Sequence, residues 1–120
     1  MGDVTLDELR RRLGEEELAL VDVRTVPEFD GTARASCDPR HGHIPGARSL
    51  PLDQLLDAHS ADEIRTLVGL PEGAEVVAYC HTGNRSDFAV QVLRAAGYDA
   101  RNYVGSWHEW SHDASLPIET

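Results

Sequence analysis

The residue best placed for chemistry is Cys80, which ends the apolar run EVVAY and is followed by HTGNRS and a helical pattern. In parallel α/β proteins, ligands gather beyond the carboxyl ends of the strands, so a nucleophile belongs at such a junction. The N–H groups of His81, Thr82, Gly83, Asn84, Arg85 and Ser86 can curl toward the Cys80 sulfur. Gly83 admits a backbone conformation that other residues resist. The helix that follows adds the partial positive charge of its N-terminus. Together these features favour the thiolate, the reactive form of cysteine. The simpler alternative is a strand-end cysteine that only fills space. Six polar or small residues leading into a helix argue for the reactive role.

Other polar residues fall where they could support this loop. Arg85 can orient it through an ion pair, with Glu28 as the candidate partner; a solvated arginine at the helix end is the equal alternative. Asp22 and Arg24 end a buried strand, where a charge needs a partner. Asp22 is expected to hold backbone groups or an internal Arg rather than touch substrate, and Arg24 to make a structural pairing rather than add charge at the mouth. His81 is expected as an exposed wall that tunes charge, because neighbouring residues on a curled loop point apart. Cys37, His41 and His43, with Cys80 as a fourth ligand, raise the question of zinc. Cys-x3-His-x-His is not a familiar structural zinc spacing and has no second Cys/His pair, so no metal is expected. Cys37 as a resolving thiol for a sulfur carried on Cys80 is the other option weighed, with an ordinary cysteine as the default.

The elements that must hold these residues can be read from periodicity. Thr5 caps a helix over 6–13, and LALVDV (18–23) has the near-continuous apolar character of a strand buried on both faces. A helical turn at 25–29, with Thr25 as cap, precedes a polar loop over 31–43. Further strands are expected at 47–50, 75–79 and 101–104. Helices are expected at 52–57, from the Ser60 cap to 68, and at 85–96 with the apolar Phe88, Val92 and Ala95 on one face. Trp107 and Trp110, three apart in a segment over 105–111, suit core packing. Alternating strands and helices imply an α/β sandwich around a mostly parallel sheet, with one domain filling residues 1–120.

Composition narrows the partners. The 120 residues carry 11 basic side chains, all Arg, against 21 acidic ones, for a formal charge of −10. Nucleic-acid binding needs a basic face and is not expected. No apolar run approaches the roughly 20 residues of a membrane helix, and no membrane partner is expected. Two cysteines and a charged N-terminus suggest a cytoplasmic protein.

YCHTGNRS, together with LVDVRTVPEF, GHIPGARSLP and GSWHEW, resembles the rhodanese (sulfurtransferase) family. The segments stand in family order over residues 18–120, and the GSWHEW and LPIET ending resembles the catalytic C-terminal half of tandem-domain thiosulfate sulfurtransferases. The resemblance implies a three-layer sandwich with a mostly parallel five-stranded sheet and helices on both faces. It also implies that Cys80 carries a persulfide, taking sulfur from a small donor such as thiosulfate and passing it to cyanide or a thiol. A protein could serve as donor or acceptor, and no cofactor is required. Trp107 would lie near the mouth of the site as an apolar wall. Thr82 stands where tandem thiosulfate enzymes often carry a basic residue, and Glu28 where they carry an arginine, so the donor stays open. Cell-cycle phosphatases of this fold use Cys-x5-Arg; Cys80 and Arg85 make Cys-x4-Arg, which resembles the sulfurtransferase loop. A non-catalytic or sulfur-sensing module that binds a partner protein is the alternative.

Overall fold

The two most apolar runs of the chain form the two central strands. In a computed structural model, which describes residues 2–120, β1 (Ala19–Asp22) and β3 (Glu75–Tyr79) pair in parallel, with β2 (Arg48–Ser49) beside β1 and β4 (Asp99–Asn102) beside β3. The order is β2-β1-β3-β4 and every pairing is parallel. Parallel strands need crossovers, which here contain helices, and helices cover both faces of the sheet.

Strand alternation divides the core into two layers. Val21, Val76 and Ala78 face one way, toward α3 (Leu52–Asp57), α4 (Ala61–Val68) and α5 (Asn84–Ala95). Leu20, Val77 and Tyr79 face the other, toward α1 (Leu6–Arg12) and the two tryptophans of α6 (Ser106–His112). Trp107 and Trp110 are both fully buried. Helix starts are set by side chains: Thr5 accepts from the Glu8 N–H, Ser60 from that of Glu63, and Thr25 from that of Glu28 at the head of α2 (Val26–Asp30). Each of these bonds satisfies an amide that the helix itself leaves open.

Three expectations are corrected. Among the described residues the sheet has four strands, not five: the next edge position is a single bridge between Val4 and Tyr103, because Thr5 already begins to cap α1. The last strand runs over Asp99–Asn102, two residues earlier than expected, since Tyr103 to Gly105 turn the chain into α6. The buried face of α5 carries Ser86, Ala89, Val90 and Leu93, whereas Phe88 is 61% exposed. The small side chains of Ser86 and Ala89 let the helix approach the sheet closely, and that rotates Phe88 outward.

The pairing of β1 and β3 sets Asp22 opposite Tyr79, so the ends of both strands, and the residues after them, share one edge. Asp22 and Arg24 are both buried there and form an ion pair at 2.7 Å. Replacing Asp22 by Ala leaves the Arg24 guanidinium buried without its carboxylate. Urea unfolding of Asp22→Ala is expected to show a loss of about 3–5 kcal/mol; an unchanged midpoint would mean the pair does not hold this edge together.

Candidate active site

Cys80 follows directly on β3 and is 1% exposed. Its sulfur accepts a hydrogen bond from the Gly83 N–H at 3.1 Å and from the Ser86 hydroxyl at 3.3 Å. The backbone can close this tightly because Gly83 sits at φ +93°, and a Cβ there would lie 2.6 Å from the Val104 carbonyl oxygen. Asn102 donates to the Gly83 carbonyl from the neighbouring strand. Burial pushes the Cys80 thiol up. The Ser86 hydroxyl and the N–H groups of Ser86, Gly83 and Thr82 pull it down and prevail, so its pKa lies below the ordinary thiol value. The charged form is the one these donors stabilise.

A second set of contacts holds the loop from α6. The Ser106 hydroxyl accepts from the Cys80 N–H at 3.1 Å and donates to the Tyr103 carbonyl at 2.9 Å. The N–H groups of Trp107 and His108 donate to the carbonyls of Cys80 and His81, each at 2.9 Å. Ser106 adopts φ +57°, a left-handed conformation uncommon outside glycine. Sequence reasoning overlooked Ser106, because nothing local marks a serine that works 26 residues from its partner.

Arg85 makes a two-pronged ion pair with Glu28, at 2.8 and 3.1 Å. Glu28 also closes the capping box of α2 by accepting from the Thr25 N–H. Burial raises the Glu28 carboxyl, but the Arg85 and Thr25 hydrogen bonds bring it down to about 2. The pair therefore links α2 to the first turn of α5 across neutral pH. Asn84 and Thr82 are exposed.

Arg24, besides holding Asp22, donates to the Gly42 carbonyl at 2.6 Å and lies 5.0 Å from the centre of a Trp107 ring. Arg24, Glu28, Asp38 and Trp107 line a cleft of about 240 Å³, with Arg34 and His41 at its wall. A larger cavity of about 530 Å³ lies at α3 and α4, lined by residues between Gln54 and Leu67, without a cysteine. The smaller cleft is bordered by Glu28, which holds Arg85 of the Cys80 loop, and by Trp107, whose N–H holds the Cys80 carbonyl.

His81 is not an open wall. Its Nε2 lies 2.9 Å from Asp38, which also meets His108. Asp38, His108 and Arg40 were likewise absent from the sequence reading. The guanidinium of Arg40 donates to the carbonyls of Trp110, Ser111, Asp113 and Leu116, tying the loop to the C-terminal end of α6. The zinc set weighed from sequence is not assembled: His43 stacks on Phe29, and His41 meets the Ala35 carbonyl.

The chain is thus a parallel α/β sandwich with a cysteine-headed loop at the end of a central strand. The chain belongs to the rhodanese-like domain family, whose profile matches residues 5–113. It is 33% identical over 123 residues to a thiosulfate sulfurtransferase of Pseudomonas aeruginosa, covering 96% of this chain and 45% of that protein. The crystal structure of a probable thiosulfate sulfurtransferase is 42% identical, with a TM-score of 0.85 over 98% of this chain and 47% of that one. An EanB complex, in which ergothioneine is covalently linked to a persulfide cysteine, is 25% identical with a TM-score of 0.86, over 98% of this chain and 28% of that one. The chain spans about half the length of the curated relatives it matches.

The demand for glycine at position 83 is directly testable. Gly83→Ala combines a positive φ with a clash against the Val104 carbonyl, so unfolding free energy should fall by about 1–3 kcal/mol. Alkylation of Cys80 at neutral pH should slow in the same variant. Wild-type stability and alkylation rate together would show that the close turn is not needed.

Proposed function

We propose that the chain is a rhodanese-type sulfurtransferase that works through a persulfide on Cys80. The observation that carries this reading is the Cys80 sulfur itself, buried yet facing the Gly83 N–H and the Ser86 hydroxyl. A thiolate in that position attacks the outer sulfur of a donor such as thiosulfate. The donor's S–S bond breaks, sulfite departs with the electron pair, and Cys80 keeps the transferred sulfur. A thiolate or cyanide then attacks that outer sulfur, forming a new persulfide or thiocyanate and returning the Cys80 thiolate. The two displacements replace one difficult transfer with two easier ones.

The loop donors suit both states, because the terminal persulfide sulfur is also anionic and can take up N–H groups from residues 81–86. Arg85 and Arg24 act as positioning residues, since each is already held by a carboxylate. Arg34, exposed at the cleft, is the remaining nearby cation available to an anionic donor. With a net charge of −10, the long-range field repels small anions, and attraction must come from this local lining. A neutral or protein-bound persulfide donor meets less of that opposition.

Intact-mass measurement after thiosulfate treatment tests the reading. The wild-type chain should gain one sulfur atom and lose it on addition of cyanide, while Cys80→Ser gains none. Identical spectra for the two would contradict the sulfurtransferase reading and leave a folded module that only binds a partner.

A further inference from the structure

Cys37, Asp38, His81 and His108 come from three separate segments and converge at the rim of the loop that carries Cys80. One ligand atom from each lies within 4.8 Å of all the others. Cys37 Sγ is 3.6 Å from His81 Nε2 and 3.9 Å from Asp38 Oδ1. His81 Nε2 is 2.9 Å from Asp38 Oδ2, and His108 Nδ1 is 3.3 Å from Asp38 Oδ1. Ligands bound tetrahedrally to zinc at 2.0–2.3 Å stand roughly 3.3–3.8 Å apart. The contacts here already fall close to that spacing. We propose that these four side chains form a site for one borderline-soft divalent cation, with Zn(II) as the best match.

The chemistry of the donor set selects the ion. A thiolate and two imidazoles suit zinc or cobalt, whereas calcium and magnesium demand a shell of oxygens. Asp38 supplies the single carboxylate and is 6% exposed. Among the described residues, no Arg side chain or backbone N–H donates to that carboxylate; its partners are the two imidazoles and the Cys37 thiol. An imidazole is a full cation only when protonated, so this buried anion has no permanent positive partner. A bound dication supplies one.

The three segments are held together independently of these contacts. Arg40 ties the Cys37–Asp38 loop to four carbonyls at the end of α6 and just beyond it. The His108 N–H holds the carbonyl of His81. Ligands fixed by other bonds need little rearrangement to accept a metal. Cys37 is exposed and gives up its proton on binding. The ion would then pin His81, the residue next to Cys80, to the wall of the cleft. Binding does not rest on the sulfurtransferase reading, and its test does not measure sulfur transfer.

Cobalt(II) titration of the Cys80→Ser chain tests the site, because Cys37 is then the sole thiol. One equivalent should produce thiolate-to-cobalt charge-transfer absorption with the intense visible bands of tetrahedral cobalt, and zinc should displace it. Adding Cys37→Ser should abolish the charge-transfer band. His108→Ala, at a half-exposed position, should weaken affinity by at least roughly tenfold, with circular dichroism showing an intact fold. Absence of the charge-transfer band, or affinity unaffected by either change, would overturn the proposal.

Discussion

A sulfur atom buried from water, among hydrogen-bond donors that favour its anion, is the feature on which the rest of this structure converges. Cys80 is almost completely buried, which by itself favours the neutral thiol. The Ser86 hydroxyl and the amides of Thr82, Gly83 and Ser86 reverse that preference. Those donors must already point inward before any substrate arrives, since a flexible loop would turn them to water. Gly83 supplies the tight turn, and packing against Val104 leaves no room for a side chain there.

The surrounding contacts act on that loop from three directions. From below, the β1–β3 pairing brings the Asp22–Arg24 pair to the same edge as Cys80. From the side, Glu28 grips Arg85 and so connects α2 to the first turn of α5. From above, Ser106 and the first amides of α6 hold the backbone of Cys80 and His81. Arg40 fastens the far end of α6 to the loop that carries Cys37 and Asp38. The catalytic and metal-binding proposals thus depend on one rigid frame, and the two tryptophans in the core keep α6 against the sheet.

What could be read from the sequence follows the range of the physics involved. Buried parallel strands announce themselves as apolar runs, and caps such as Thr5, Thr25 and Ser60 act within three residues. The parallel α/β sandwich was therefore legible, as was a loop with a cysteine at its head. Ser106, Asp38 and His108 were not, because each meets partners 26 to 70 residues away. No local pattern encodes such a meeting. Phe88 misled for a related reason: an aromatic on a helix reads as buried, yet the face of α5 is chosen by how closely Ser86 and Ala89 let it approach the sheet. Cys-x-His spacing likewise cannot show the meeting of Cys37, Asp38, His81 and His108 from three segments.

The ionisation of Cys80 tests the central claim most directly. Ultraviolet thiolate absorbance, followed against pH in a Cys37→Ser chain, reports this one sulfur. The account predicts a midpoint below the value of a free cysteine, about 8.5, despite the burial. A midpoint at or above that value would show that burial outweighs the loop donors, and the anion-holding site described here would be wrong.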